Sequence, residues 1–180
     1  MIRIFDLVFS FLYLILLFPL ITSLIAIGVF NFKSPVFVQI RVGLNQKSFN
    51  LFKFRSMQLN TPSKATHLIN KNLIGTYGFL IRKYKLDEIP QLWNVLLGDM
   101  SLVGPRPCLL NQRKLISERR KRKVFSVRPG ITGLAQIKGI NMQIPTLLAK
   151  TDAQMIKKMN LYYYFFYILM TLFFFFKKRK

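Results

Sequence analysis

Leu86-Asp87-Glu88-Ile89-Pro90-Gln91-Leu92-Trp93-Asn94-Val95-Leu96-Leu97-Gly98-Asp99-Met100-Ser101-Leu102-Val103-Gly104-Pro105-Arg106-Pro107 holds Asp87, Glu88 and Asp99, half of the six carboxylates in a chain with 28 lysines and arginines. Pro90 suits a first helical position and Gly98 a helix end. Ile89, Leu92, Trp93, Leu96 and Leu97 recur at the spacing of one apolar helix face. A helix over Pro90 to Leu97 is therefore predicted, with Asp87 and Glu88 at its N-terminus, where the helix dipole favours carboxylate charge. Acids at such ends often do no more than cap the helix. In so basic a chain the pair also reads as a place to hold a metal ion or to supply a nucleophile. Beyond the helix, Val103-Gly104-Pro105-Arg106-Pro107 reads as a rigid loop that fixes one guanidinium, whose planar fork of donors suits phosphate or a base edge.

Working outward, the formal net charge of +22 on 180 residues implies an anionic partner: nucleic acid, an anionic lipid surface or a phosphorylated small molecule. The hydrophobic content of 52% argues against a soluble nucleic-acid binder and for a membrane surface. The length fits one domain with residues left for a membrane segment. A single cysteine, Cys108, excludes an internal disulfide and fits a reducing compartment. A single histidine, His67, leaves little for a transition-metal site, so a metal here is expected to be a hard cation held by oxygen, with Mg²⁺ the default.

Two segments read as membrane-active. Leu7 to Phe30 carries no charge and exceeds the roughly 20 residues that cross a bilayer as a helix. Pro19 in its middle kinks or breaks a helix, so an ordinary anchor and a segment that dips in and returns both fit. Arg3 and Asp6, three apart, are placed to pair on one helix face. Leu161 to Phe176 is a shorter run of Tyr, Phe and Leu ending in Lys177-Lys178-Arg179-Lys180. Its basic end and Tyr-rich start suit an interfacial helix on anionic headgroups; a buried helix of the fold is the other reading. Lys33, Arg41, Lys47, Lys53 and Arg55 follow the first segment and place the central domain on the cytoplasmic face.

Between these segments, Ser34 to Ile40 alternates with Val36, Val38 and Ile40 on one face and reads as a strand. Gly43 to Gln46 reads as a turn and Ser48 to Phe54 as the hairpin partner. Asn60 to Asn72 is polar and reads as a loop. Leu109 to Val124 reads as a strongly basic helix with a solvated or lipid-facing surface. Arg128-Pro129-Gly130-Ile131-Thr132-Gly133 is a second rigid loop, followed by a strand-like Leu134 to Ile137.

Taken together and in order, these stretches resemble the bacterial sugar transferase family, the small monotopic phosphoglycosyl transferases. The resemblance rests on Arg3 and Asp6, on Ser34-Pro35-Val36-Phe37 with Gln39, Arg41 and Gly43, and on Lys53-Phe54-Arg55-Ser56-Met57. It continues through Gly78, Arg82, nearly all of Asp87 to Pro107, and Pro129-Gly130-Ile131-Thr132-Gly133. It implies transfer of a sugar-1-phosphate from a UDP-sugar to polyprenyl (undecaprenyl) phosphate, with release of UMP, to begin a surface polysaccharide or glycoconjugate. By position, Asp87 would be the nucleophile that carries a covalent phospho-sugar. Glu88 would help bind Mg²⁺, with both acids as metal ligands. Lys53, Arg55, Arg82, Arg106 and Pro107 would bind substrate. The resemblance also implies a helix broken near Pro19 that re-enters over residues 1–32, a cytoplasmic catalytic domain over 33–160, and a C-terminal interfacial helix over 161–180. The expected fold is α/β, mostly helical with a small sheet. It would lie on the cytoplasmic face of the plasma (inner) membrane against anionic lipids, with no nucleic acid partner.

Departures stand beside the match. The family's Gly-Trp-Ala-Gln is Gly133-Leu134-Ala135-Gln136 here, and its Asn-Gly-Arg-Asn is Lys138-Gly139-Ile140-Asn141. Past Ile144 the pattern fades, although Asp152 falls where the family has an aspartate. An inactive or low-activity relative is one alternative, and a non-catalytic, membrane-tethered basic binding protein is another. Neither the sugar nor the glycan is legible.

Overall fold

In the computed structural model, residues 1–58 and 75–177 are described, with side chains to Phe174. The polar stretch expected to loop over 60–72 lies outside them, as do the last three residues of the basic tail. The described residues are mostly helical, with two small two-stranded sheets.

The N-terminal apolar run is two helices, α1 (Ile2–Leu16) and α2 (Phe18–Phe32), bent by 64° at Leu17. Pro19 sits in the first turn of α2, where its missing N–H costs no helical bond, whereas its ring and lost donor bar α1 from continuing through it. Among the described residues no single helix is long and apolar enough to cross a membrane; the bent pair together meets that length and composition.

The chain then forms an antiparallel hairpin of β1 (Val36–Val42) and β2 (Ser48–Phe54), in register Val38 to Phe52 and Ile40 to Asn50. The hairpin is where the alternation placed it, but the buried face is the other one. Val38 and Ile40 are about half exposed while Gln39 is buried. The polar positions turn inward because they line a charged site.

Helix α3 (Thr76–Lys83) packs against α2, with Tyr77 Oη donating to the Leu24 carbonyl (3.1 Å). A tight turn leads to α4 (Gln91–Leu97), which ends at Gly98 in the left-handed region, φ 95°, a conformation that favours glycine. Strand β3 (Ser101–Val103) pairs in parallel with β4 (Gly130–Thr132), so both Pro/Gly loops begin or end in one short sheet. The two backbones approach so closely that a Cβ added at Gly130 would stand 2.0 Å from the Gly104 nitrogen.

Between these strands lies α5 (Arg113–Lys121), shorter than the predicted basic helix. Leu134–Ile137 forms a short helix, α6, and not the expected strand; its N-terminus at Gly133 is packed against the Gly104 carbonyl and Met155. Helix α7 (Pro145–Lys158) follows, in the region where the motif pattern had faded.

Helix α8 (Leu161–Lys177) has one buried and one exposed face. Tyr164 and Tyr167 are in the core, whereas Tyr162, Leu169 and Phe173 are exposed. The main core gathers Leu51, Val95, Met100, Val103, Met155 and Tyr164. Val95 and Met100 are wholly buried, and each contributes about 2 kcal/mol through the apolar surface it removes from water.

Helix α1 is tied to this core by polar contacts. Asp6 Oδ1 accepts from Ser101 Oγ (3.0 Å), Leu102 N (2.9 Å) and Tyr164 Oη (2.9 Å). The Arg3 guanidinium donates to the carbonyls of Val95 (2.6 Å) and Met100 (3.1 Å) at the C-terminal end of α4, where the helix dipole favours a cation. The expected Arg3–Asp6 pair exists at 3.9 Å; both side chains make their shorter contacts elsewhere.

Candidate active site

The acidic pair lies in a tight turn before α4, not at its N-terminus. Glu88 N donates to Lys85 O, Ile89 N to Leu86 O, Leu92 N to Ile89 O and Trp93 N to Pro90 O, all three residues apart. Pro90 explains this, since it has no N–H to return to Leu86 and so the α-helical ladder cannot extend back over the acids. The dipole of the seven-residue α4 is therefore not what sets their charge.

Glu88 is held by two cations. Its Oε1 accepts from Lys53 Nζ at 3.2 Å and from Arg106 Nη2. Burial alone would push the Glu88 carboxyl up, but Arg106 and Lys53 outweigh it and hold it well below the usual carboxylate range. Burial pulls the Lys53 ammonium below its ordinary value, with Glu88 opposing.

Asp87 differs. It is buried, 8% exposed, and among the described residues no cation lies within ion-pair distance of it. Burial raises its carboxyl; Lys53 opposes this, Glu88 adds to it, and Arg82 and Arg106 oppose it more weakly. The site thus has one neutralised carboxylate and, beside it, one unpaired carboxylate in a field of three cations.

The predicted residues fall into two groups. Lys53, Arg82 and Arg106 surround the acids, with the Arg82 Nε hydrogen-bonded to Ser56 Oγ at 2.8 Å. Arg55 is not directed at them. Its Nε donates to the Ser34 carbonyl (2.8 Å) and its guanidinium lies over the Phe37 ring at 5.6 Å, so it pins the start of the hairpin. Pro107 is buried and offers its carbonyl to Arg41 Nη1 at 3.0 Å.

Sequence reading gave no role to the residues behind Arg106. Arg41, whose guanidinium burial depresses to a pKa of about 10, holds the Pro107 carbonyl. Arg119 Nη1 holds the Arg106 carbonyl at 2.8 Å, while its Nε and Nη2 grip Asp152 Oδ2 at 3.0 and 2.7 Å. Arg119 is 1% exposed, so the basic helix is not uniformly a surface. The signal was present: Arg119 follows the buried Leu115 by four residues, on the same helical face. Asp152, noted only by position, is the wholly buried counter-charge. Leu134 packs on the main core and Ile140 on a second one around Cys108, so both departures serve as packing residues.

Among the described residues no group of three or more His, Cys, Asp or Glu comes together to cage a metal. Asp87 and the second oxygen of Glu88 supply two carboxylate ligands at most. That donor set fits Mg²⁺, which takes one or two carboxylates and completes its shell with water and substrate phosphate. The arrangement suits an anionic phosphate ester, since the cations around the acids offset the repulsion a carboxylate would otherwise meet.

Comparison with known proteins agrees. A family model described as bacterial sugar transferase matches residues 1–178. The uncharacterized sugar transferase EpsL of Bacillus subtilis is 45% identical over 140 residues, covering 77% of this chain and 69% of that protein. The undecaprenyl-phosphate glucose phosphotransferase of Komagataeibacter xylinus is 41% identical over 80% of this chain and 29% of its own length. The UDP-glucose:undecaprenyl-phosphate glucose-1-phosphate transferase of Klebsiella pneumoniae is 39% identical over 81% of this chain and 32% of its own. The chain therefore spans about a third of the two longer relatives. The matched region takes in the bent helix pair, the hairpin, the acidic turn and both Pro/Gly loops, and the chain belongs to the bacterial sugar transferase family.

Proposed function

We propose that this chain transfers a sugar-1-phosphate from a UDP-sugar to polyprenyl (undecaprenyl) phosphate, releasing UMP, at the cytoplasmic face of the plasma membrane. The observation that carries the reading is the asymmetry of the acidic pair: Glu88 held through one oxygen by both Lys53 and Arg106, Asp87 buried and outside any ion pair. The names of the relatives support the same chemistry.

A carboxylate oxygen of Asp87 attacks the β-phosphorus of the donor. The bond from that phosphorus to the bridging oxygen breaks, and UMP departs with the electron pair. Asp87 then carries the phospho-sugar. An oxygen of the polyprenyl phosphate attacks the same phosphorus and returns Asp87 to its carboxylate. Dividing the transfer in two lets one carboxylate serve both halves. Lys53, Arg82 and Arg106 offset charge on the phosphoryl oxygens, since such transfers depend mostly on positioning and electrostatics. Arg41 and Arg119, gripping the backbone of residues 106 and 107, keep Arg106 in place. Asp87 and Glu88 are the residues that would hold Mg²⁺, which would supply further neutralisation of phosphate charge.

The bent pair α1–α2 would enter and leave the bilayer on one side. Exposed lysines and arginines such as Arg113, Lys114 and Lys123 would rest on anionic headgroups.

The test is UMP release by detergent-extracted protein with polyprenyl phosphate, Mg²⁺ and a panel of UDP-sugars. Release from one donor, abolished in Asp87→Asn while the variant stays folded and membrane-bound, is the expected result. Equal release by Asp87→Asn would overturn the assignment of the nucleophile.

A further inference from the structure

Asn94 is wholly buried on α4, six residues beyond Glu88 and three beyond Gln91. Its side-chain amide makes two bonds to one edge of β2. Oδ1 accepts from Phe52 N at 3.0 Å and Nδ2 donates to the Asn50 carbonyl at 2.7 Å. Nδ2 also lies 3.3 Å from Asp99 Oδ2. The Asn94 backbone carbonyl accepts from Asp99 N and Met100 N, so the residue cannot shift without disturbing the end of α4.

Donating to one residue of a strand and accepting from the residue two further on is the bonding pattern of a single residue in a parallel ladder. One edge of β2 is taken by β1. The Asn94 amide therefore stands on the remaining edge as a one-residue strand. Lys53 is the next residue after Phe52, and Glu88 is the next polar contact between this turn-and-helix and β2.

The geometry points to Asn94 as a positioning residue of the site: it fixes how far α4 slides along β2, and so where Lys53 meets Glu88 and faces Asp87. This role rests on the proposed transferase reading. Glu88 and Lys53 are both flexible side chains, and an ion pair alone tolerates displacement. Two short amide bonds to the adjacent backbone do not.

A double-mutant cycle in the UMP-release assay tests the inference, using Asn94→Ser, Lys53→Met and the two combined. Asn94→Ser is expected to lower kcat on the order of tenfold to hundredfold, as ångström-scale misplacement does, with KM little changed. The combined variant should be no slower than the worse single one by more than about threefold, because residues acting through one contact are not additive. Losses that multiply would overturn the proposal.

A second arm uses the unaltered protein, so it does not depend on Asn94→Ser folding. The Phe52 amide should be protected from hydrogen exchange like the amides paired between β1 and β2, and free exchange would overturn the clasp. If the unaltered chain shows no turnover with any donor, the transferase reading fails instead, and exchange at Phe52 alone decides whether the clasp exists.

Discussion

Asp87 and Glu88 are neighbours in the chain, yet their environments push their protonation in opposite directions. The tight turn before Pro90 aims Glu88 at Lys53 and Arg106 and leaves Asp87 without a partner. Glu88 ionises far below its unfolded value of about 4.3. Its stabilising effect is therefore complete above that value and is lost as pH falls through the folded one. In detergent with a chelator present, Glu88→Gln is expected to lower stability near neutral pH on the order of 2 kcal/mol. Thermal melts of the two proteins should converge as pH drops below about 4. A gap that stays constant into strong acid would show that the two ion pairs do not contribute. At this scale the acids, Lys53 and Arg106 were legible, because rare carboxylates in a basic chain and a Pro-Arg-Pro loop are local signals. Arg41, Asn94 and Arg119 were not, because their partners lie 66, 44 and 33 residues away; the one local signal was the place of Arg119 on the helix face of the apolar Leu115.

Among the elements, the hairpin shows that a correct period does not by itself say which face is buried. Alternation in β1 placed Val36, Val38 and Ile40 together, and an apolar face is ordinarily the buried one. Here the inward face carries Gln39 and Arg41, with Lys53 opposite Phe37, because it meets the charged cluster around Glu88. Leu134–Ile137 failed for a different reason: four apolar-leaning residues carry no period long enough to separate strand from helix. The attachment of α1 was legible only as an Arg–Asp pair, which is present at 3.9 Å, and the structure adds to it a polar joint. Asp6 takes three donors from β3 and α8. Tyr164→Phe removes one of them and should cost about 1 kcal/mol. Asp6→Ala leaves the buried Leu102 N–H unsatisfied together with both hydroxyls, and should cost on the order of 3 kcal/mol. Equal melting temperatures for the two variants would mean that the joint is not what holds α1.

For the whole molecule, charge and hydropathy together indicated a membrane surface, and the apolar helix pair that meets the length and composition of a membrane segment is bent by 64°. If α1 and α2 return to the side they entered, a cysteine at Ile2 and one at the exposed Lys123 share a compartment. In intact cells both Ile2→Cys and Lys123→Cys should resist a membrane-impermeant thiol reagent and react after permeabilisation; the native Cys108 is buried and should stay silent. Labelling of Ile2→Cys from outside would convert the bent pair into a crossing anchor.

The seam between Gly104 and Gly130 bears on inheritance. Two backbones this close leave no room for any side chain at either position, so neither glycine can drift while the other stays, and a compensating partner cannot be found by single steps. Descendants of this chain that learn to accept a different sugar must therefore do so by changing residues around the seam, which would make it a fixed point against which their divergence can be measured.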